Sequence, residues 1–171
     1  MKNIVLTGFM GTGKTVVGTL LAERLRRPLI DVDSEIEREQ RMTVAEIFAR
    51  EGEAAFRDME AAVIRRLSER AGVIIATGGG AVVRQENREN LRKNGVVVCL
   101  TASPEATLER TRAAGTRPLL QVDDPLQRIR ELLEARGPYY AKADMVIDTE
   151  GKTPADVAEE IVQRIREEVN E

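Results

Sequence analysis

The sequence of 171 residues contains no histidine and only one cysteine, Cys99. Histidine is the most common general base near neutral pH and a frequent metal ligand. Acid–base chemistry in this chain must therefore use carboxylates, lysine or tyrosine, and a metal site would need oxygen ligands that suit a hard cation. A single cysteine excludes a disulfide within the chain, which fits a reducing, cytoplasmic environment. Because Cys99 lies in the apolar run VVVCL, we expect it to be a buried packing residue.

Long apolar runs and an excess of positive charge are also absent. No apolar run reaches the roughly 18 residues that a membrane-spanning helix needs, and the start MKNIVLTGF lacks the features of a signal peptide. The 26 basic and 29 acidic residues give a net charge of −3, so we expect no general attraction to nucleic acid. The length and the 42% of apolar residues predict one globular domain over residues 1–171.

Short apolar segments alternate with longer segments of helical periodicity. The short segments are rich in Val and Ile, are apolar on both faces and are typical of buried strands. They are NIVLT (3–7), PLIDV (28–32), VIIAT (73–77), VVVCL (96–100) and MVID (145–148). This alternation predicts an α/β fold in which helices cover both faces of a five-stranded parallel sheet. Ligands of such folds bind at the carboxyl ends of the strands.

Capping residues mark the ends of the predicted helices. We expect C-terminal caps at Gly52 and Gly95. The predicted helix starts are a capping box of Thr43 with Glu46 and three cap–proline pairs, Ser103-Pro104, Asp124-Pro125 and Thr153-Pro154. Residues 113–124 (AAGTRPLLQVDD) lie between two helices without clear periodicity, and a loop of this length is usually a functional lid or disordered.

Two acidic residues, Asp31 and Asp33, stand at the end of the second predicted strand. If the strand continues through both residues, their side chains point to the same side of the sheet. Such a pair could bind a cation, deprotonate a hydroxyl group or cap the next helix. Because Ser34-Glu35-Ile36 begins a helical pattern, Asp33 is the expected cap. The pair by itself leaves these uses open.

The segment GFMGTGKT at residues 8–15 matches the phosphate-binding pattern G-x-x-x-x-G-K-[ST] in full. It follows the first predicted strand and precedes a helical segment, which is the context that the motif requires. Its glycines let the backbone turn so that N–H groups face phosphate oxygens, next to the positive end of a helix. Lys14 would bridge the outer phosphates and the Thr15 hydroxyl would bind Mg²⁺. We therefore predict that the chain binds a nucleoside triphosphate.

Three classes of phosphate-loop protein remain open at this point. A GTP-operated switch needs an N-K-x-D motif, which the sequence lacks, and the D-x-x-G string at 148–151 follows the last predicted strand rather than an early one. An oligomeric ATP motor would have a longer chain and an acidic strand in mid-sequence. A small-molecule kinase needs an acceptor pocket, a base and a lid that excludes water. The remaining motifs offer candidates for these three parts.

The candidates for an acceptor pocket lie in three segments. FRDMEAAV at 56–63 puts Arg57 and Glu60 on one helix face, although this spacing is more often a surface ion pair. TGGGAVV at 77–83 has three glycines directly after the third strand, where the backbone either approaches a ligand or forms a tight turn. In ARGPYY, Arg136 lies at the end of a predicted helix.

Together these motifs resemble the shikimate kinases, which belong to the nucleoside-monophosphate-kinase-like branch of phosphate-loop folds. The resemblance covers nearly the whole chain and keeps the order GFMGTGKT, DVDSEIE, EIFAREGEAAFRDME, TGGGAV, RTRAAGTRPLL and RGPYY. It implies a three-layer α/β/α fold with a helical substrate-binding segment at about 32–60 and a mobile lid at about 112–124. The implied reaction transfers the γ-phosphoryl group of ATP to the 3-hydroxyl of shikimate, on the route to chorismate and the aromatic amino acids.

The resemblance also implies roles for individual residues. Asp33 would hold the acceptor hydroxyl groups and accept a proton, while Lys14 and Arg117 would act on the phosphates. Asp31 would hold Mg²⁺ through water beside Thr15. The implied ATP contacts are Gly11, Thr12, Gly13, Lys14, Thr15, Val16, Arg110, Arg117, Lys152 and Pro154. The implied shikimate contacts are Asp33, Arg57, Glu60, Gly78, Gly79, Gly80 and Arg136, with the two arginines on the carboxylate and Glu60 orienting Arg57.

Two positions depart from the family pattern. Val16 stands where the family usually has a second hydroxyl residue, and Arg41 stands where it commonly has glycine. These departures affect local contacts rather than the class of reaction. Another kinase of the same branch, such as a gluconate kinase, is the nearest alternative, and a silent nucleotide-binding regulator is a second. No exposed heptad or apolar stripe requires a partner, so we expect a monomer.

Overall fold

A computed structural model describes residues 1–113 and 120–170 of the chain, with side chains described up to residue 167. The strands are β1 (Asn3–Gly8), β2 (Leu29–Asp31), β3 (Ile74–Ala76), β4 (Gly95–Thr101) and β5 (Met145–Asp148). The α-helices in these ranges are α1 (Lys14–Leu25), α2 (Val32–Gln40), α3 (Val44–Ser68), α4 (Gln85–Lys93), α5 (Pro104–Ala113), α6 (Pro125–Tyr140) and α7 (Pro154–Asn170). A 3₁₀ helix (Ala81–Val83) precedes α4. Within the described ranges, no helix has both the length and the apolar character needed to cross a membrane.

The strands form one sheet in the order β2-β3-β1-β4-β5, and every neighbouring pair is parallel. This confirms the predicted five-stranded parallel sheet. The first strand lies in the centre of the sheet, between β3 and β4. The carboxyl ends of β1 and β3 are therefore neighbours, and the segments that follow them, the phosphate loop and the three glycines, meet at one edge of the sheet.

The sheet separates two apolar cores, and alternate residues of each strand contribute to one core or the other. Ile4 and Leu6 of β1 face α1 and α7, whereas Val5 faces α3 and α4, because successive side chains of a strand point to opposite faces. Helices thus cover both faces of the sheet, as predicted. Cys99 is fully buried in a third cluster with Ile129 of α6, so its predicted packing role is confirmed.

The end of β2 differs from the prediction. The strand ends at Asp31, and Asp33 lies in the first turn of α2, so the two side chains are not on one strand face. The Asp31 carboxylate accepts a hydrogen bond of 3.0 Å from the backbone N–H of Ser34. The cap of α2 is therefore Asp31, and the expectation that Asp33 has this role is wrong. A cap reaches the N–H groups two or three residues beyond it, and Asp31 is at that distance from Ser34.

Most of the other predicted helix ends are confirmed. The capping box of Thr43 and Glu46 is present, and α5, α6 and α7 begin at the three cap–proline pairs. Gly52 has a φ of 85° and interrupts α3. The predicted cap at Gly95 is wrong, because this residue begins β4. A Cβ atom there would lie 2.5 Å from the carbonyl oxygen of Leu91, so close packing rather than backbone conformation favours glycine.

The helix α2 ends at an unusual residue, Arg41. Its backbone has φ 54° and ψ 36°, which is the left-handed region. Glycine adopts this conformation without strain, whereas a residue with a Cβ atom pays roughly 1–2 kcal/mol. The departure from the family pattern at Arg41 is thus a local conformational cost on an exposed turn.

Replacing Arg41 with glycine is expected to raise the free energy of unfolding by about 0.5–1 kcal/mol, because the relieved strain exceeds the added entropy of the unfolded chain. Denaturant unfolding of the wild type and of Arg41→Gly measures this difference. Arg41→Ala is the matched control, since it removes the same charge and keeps the Cβ atom. A glycine variant that is no more stable than the alanine variant would contradict the prediction.

Candidate active site

The phosphate loop connects β1 to α1 at the carboxyl edge of the sheet. Gly11 and Gly13 have φ values of 76° and 89°, which turn the chain into the first turn of α1. The Lys14 ammonium donates hydrogen bonds to the carbonyl oxygens of Gly8 and Phe9, at 2.6 and 2.9 Å. A cation is therefore held over the loop, beside the positive end of a helix, and this arrangement suits an anionic ligand.

An open space of about 1520 Å³, here called the loop cavity, lies between the phosphate loop and the start of α2 and α3. Lys14, Thr15, Asp31 and Asp33 line it. The Thr15 hydroxyl donates a hydrogen bond of 3.1 Å to the Asp31 carboxylate, so two oxygen-bearing side chains lie side by side. They fit a magnesium ion, which commonly uses one or two protein oxygens and takes its other ligands from phosphates and water.

The acidic residues do not form a complete metal site by themselves. Among the residues that the structure describes, no group of three or more Asp, Glu or Cys side chains could hold a metal ion. A metal ion at Thr15 and Asp31 would therefore depend on ligands that a nucleotide brings.

A second space of about 520 Å³, here called the side cavity, lies beside the phosphate loop. It is lined by all the predicted ATP contacts that lie away from the outer phosphates, together with parts of the loop: Gly11, Thr12, Gly13, Val16, Arg110, Lys152 and Pro154. These residues belong to three segments that are distant in the sequence, and the fold places them around one cavity. Their roles toward a ligand stay predictions.

Thr149 is a residue of the side cavity that sequence reasoning missed. The Arg110 guanidinium donates to the Thr149 hydroxyl oxygen at 2.9 Å and to the carbonyl oxygen of Gly11 at 3.3 Å. The Thr149 hydroxyl in turn donates to the carbonyl oxygen of Thr101 at 2.8 Å. Thr149 directly follows β5, and its place at the carboxyl end of a strand is the feature that could have indicated it.

A third space of about 500 Å³, here called the arginine pocket, adjoins the loop cavity. It is lined by all seven residues that the resemblance implies for shikimate: Asp33, Arg57, Glu60, Gly78, Gly79, Gly80 and Arg136. Helix α2 contributes the aspartate, α3 the first arginine and the glutamate, and α6 the second arginine. Asp33, Gly78 and Gly79 line the loop cavity as well, so the two spaces share a wall.

Arg57 and Glu60 form a buried ion pair. The Arg57 Nη1 and Glu60 Oε1 atoms are 2.9 Å apart, and the side chains are only 15% and 1% exposed. The alternative of a surface ion pair is therefore wrong. The Phe56 ring lies 5.3 Å from the guanidinium carbon and covers part of the pair. The guanidinium group is thus held in one orientation at the pocket wall.

Burial and charge act in opposite directions on this pair. Burial raises the pKa of the Glu60 carboxyl group, and the Arg57 guanidinium opposes that shift. Burial acts to lower the pKa of Arg57, but attraction by Glu60 and Glu53 raises it above the ordinary value. Arg57 therefore stays a cation. The second cation, Arg136, is 6% exposed, and its guanidinium carbon lies 5.6 Å from the centre of the Phe9 ring.

The three glycines allow charged side chains to approach the backbone. A Cβ atom on Gly78 would lie 2.9 Å from Glu60 Oε2, and one on Gly79 would lie 3.3 Å from Arg136 Nη1. On Gly80 it would overlap the Arg57 guanidinium group. Each of these glycines has a negative or extended φ. The expectation of a tight turn is confirmed, since the Ala81 N–H donates to the Gly78 carbonyl oxygen at 3.3 Å. That the backbone here approaches a ligand stays a prediction.

Four apolar residues of the arginine pocket were not predicted as site residues: Met10, Val44, Phe48 and Phe56. The rings of Phe48 and Phe56 are 5.0 Å apart and form one wall. In the sequence these residues look like ordinary core positions. The predicted catalytic residue Arg117, with residues 114–119 of the predicted lid, lies outside the described residues.

The chain is similar to known shikimate kinases over almost its whole length. A sequence model described as shikimate kinase matches residues 10–166. The shikimate kinase of Thermodesulfovibrio yellowstonii is 52% identical over 163 residues, which cover 95% of this chain and 94% of that protein. The solved structure of shikimate kinase from Acinetobacter baumannii in complex with shikimate has a TM-score of 0.95 and 44% identity, and covers 98% of this chain and 94% of that chain.

A gluconate kinase was the nearest alternative function in the sequence analysis, and a solved structure of that class is less similar to this chain. A gluconokinase from Sinorhizobium meliloti has a TM-score of 0.60 and 21% identity, and covers 99% of this chain and 95% of that chain. This likeness is one of fold alone. The sheet, the two helical layers and the phosphate loop give the chain the predicted three-layer α/β/α fold, and the chain belongs to the shikimate kinase family.

Proposed function

We propose that the protein transfers the γ-phosphoryl group of ATP to the 3-hydroxyl of shikimate, giving shikimate 3-phosphate and ADP on the route to chorismate. The observation that carries this proposal is the shared wall of the two spaces, where Asp33 borders both the arginine pocket and the loop cavity. A group in the pocket and a phosphate at the loop would meet there. Membership of the shikimate kinase family and the shikimate bound to the A. baumannii enzyme support the choice of acceptor.

Shikimate would enter the arginine pocket with its carboxylate toward Arg57 and Arg136. A guanidinium group can donate two parallel hydrogen bonds to a carboxylate, and the buried pair with Glu60 keeps Arg57 in a fixed orientation. The apolar wall of Phe48 and Phe56 would suit the carbon face of the ring and would limit the access of water to that side of the bound substrate. Because Arg57 is already oriented in the free protein, substrate binding would lose little conformational entropy at this side chain.

Asp33 would hold the acceptor hydroxyl and take its proton as the new oxygen–phosphorus bond forms. It lies in the first turn of α2, where the positive end of the helix favours a carboxylate. Because phosphoryl transfer leaves little covalent chemistry to the protein, the main contribution of the chain would be to align the hydroxyl with the phosphate and to neutralise charge.

The nucleotide phosphates would lie on the phosphate loop, against its N–H groups and Lys14, and the adenine would occupy the side cavity between Arg110 and Pro154. Thr15, together with Asp31 acting through water, would hold Mg²⁺. When it is bound, Mg²⁺ neutralises part of the phosphate charge. Arg117 would add a further positive charge from the lid, as the family resemblance implies. The proposal includes a cytoplasmic, monomeric enzyme.

A coupled assay of ADP release tests this function with shikimate, quinate, gluconate and water as acceptors. We expect ADP release to depend strongly on shikimate and to stay near the water rate with the other two. Stimulation by gluconate alone would favour the related kinase. Binding of ATP without stimulation by any acceptor would favour a nucleotide-binding regulator, and both outcomes would contradict the proposal.

Asp33→Asn is expected to lower kcat by about 10²–10⁴-fold, because the amide cannot accept the proton. Asp31→Asn is the matched comparison: asparagine still caps α2, so the fold is retained, and the main effect should be a higher Mg²⁺ requirement. Steady-state rates over a range of Mg²⁺ concentrations distinguish the two. If Asp33→Asn kept near wild-type turnover while Asp31→Asn lost it, the two roles would be reversed.

Arg57→Lys is expected to raise KM for shikimate by about 10–100-fold with little change in KM for ATP, because an ammonium group cannot form the bidentate pair with a carboxylate. Arg65→Lys on the same helix is the control, since its side chain is 63% exposed and outside the pocket. Equal effects of Arg57→Lys on both Michaelis constants would count against a carboxylate contact.

A further inference from the structure

The glycine loop, defined here as residues 78–83, combines close contacts with three consecutive glycines. Its three glycines are required because charged side chains lie against them. Glycine, which has no Cβ atom, has more accessible backbone conformations than any other amino acid. A loop that contains three of them in succession needs contacts from outside if it is to present one fixed surface to a ligand.

Side chains from α4 hold the second half of the glycine loop. The Asn87 side-chain amide, which is fully buried, donates to the carbonyl oxygen of Ala81 at 2.9 Å. The Arg88 guanidinium donates to the carbonyl oxygens of Val82 and Val83 at 2.7 and 2.8 Å. These contacts lie beyond the glycines and leave the peptide groups next to the pocket to be held from another direction.

A side chain from α6 holds the middle one of the three glycines. The Tyr140 hydroxyl donates a hydrogen bond of 2.5 Å to the carbonyl oxygen of Gly79. Tyr140 is 7% exposed and is absent from the set of residues that line the arginine pocket. It therefore acts on the pocket through the backbone rather than by touching a ligand.

This hydrogen bond controls the direction of a group on the pocket wall. In a planar trans peptide, the N–H of Gly80 points away from the carbonyl of Gly79, so fixing the carbonyl also fixes the N–H. Arg136 lies one turn before Tyr140 on α6, and its guanidinium group rests against Gly79. The same helix thus supplies a cation to the pocket and the donor that holds the adjacent backbone.

We propose that Tyr140 is a positioning residue for the acceptor substrate: its hydrogen bond to Gly79 keeps the glycine loop, and Arg136 against it, in the geometry that binds shikimate. The inference rests on the proposed function for the identity of that substrate. Burial raises the pKa of Tyr140 to about 12, against the opposing effect of the Arg136 guanidinium. The hydroxyl group therefore remains a donor throughout the neutral pH range.

Tyr140→Phe tests the proposal, because it removes the hydroxyl group and keeps the ring. We expect KM for shikimate to rise about tenfold, which corresponds to about 1.4 kcal/mol, while KM for ATP changes by less than about twofold. Tyr139→Phe is the matched control: its ring stays beside Arg88 and Lys142, at 4.9 and 5.7 Å, and both constants should match the wild type. A lower unfolding temperature for Tyr140→Phe with an unchanged KM for shikimate would overturn the proposal, since it would leave only a structural role.

Hydrogen exchange of the free protein gives a second, independent measurement. In Tyr140→Phe, the amides of residues 78–83 should exchange faster than in the wild type, with little change in α1 and the phosphate loop. Unchanged exchange in the glycine loop would also overturn the proposal. If the wild-type protein failed to phosphorylate shikimate, the proposed function would fall, whereas the exchange measurement would still decide whether Tyr140 holds the loop.

Discussion

The buried ion pair between Arg57 and Glu60 is the contact on which the rest of the pocket depends. An unpaired charge in a protein interior costs several kcal/mol, so a guanidinium group can be kept there only with a carboxylate beside it. Gly80 has no side chain because the guanidinium group occupies that volume. Phe56 covers the pair and helps to exclude water. The energetic cost of burying one cation thus explains the identity of three neighbouring residues, Glu60, Gly80 and Phe56.

The parallel sheet brings this pocket to the phosphate loop. β1 and β3 are neighbours in the sheet, and both end at the same edge. The chain leaves β1 into the loop that holds Lys14, and it leaves β3 into the glycine loop. Helices α2, α3 and α6 then supply the charged side chains from outside the sheet. The architecture therefore supplies proximity, while the charges that distinguish this pocket come from the covering helices.

The sequence predicted the fold better than the surroundings of individual side chains. Regular apolar segments and caps define strands and helices, because these patterns depend on near neighbours in the chain. The burial of Arg57 and Glu60 could not be predicted in this way, since their three-residue spacing is the same in a surface pair. What packs opposite a helix decides between the two. Asp31 and Asp33 could likewise be recognised as a pair from the sequence. The residue that caps α2 could not, because the cap changes if the strand before it ends one or two residues earlier or later. Phe48 looks like a core position in the sequence, and Thr149 is marked only by its place after β5, so the fold was needed to show that both line the site.

The shared wall between the arginine pocket and the loop cavity has a consequence for ligand design. A single molecule that fills both spaces loses translational and rotational freedom once, whereas two separate ligands lose it twice. Its second half also binds at a high effective concentration. The linker of such a molecule would pass Asp33, Gly78 and Gly79, where the two spaces join. Met10 and Val44 line both spaces as well, so the passage offers one carboxylate among apolar side chains and glycine backbone, and a linker there should be narrow and apolar with one hydrogen-bond donor toward Asp33.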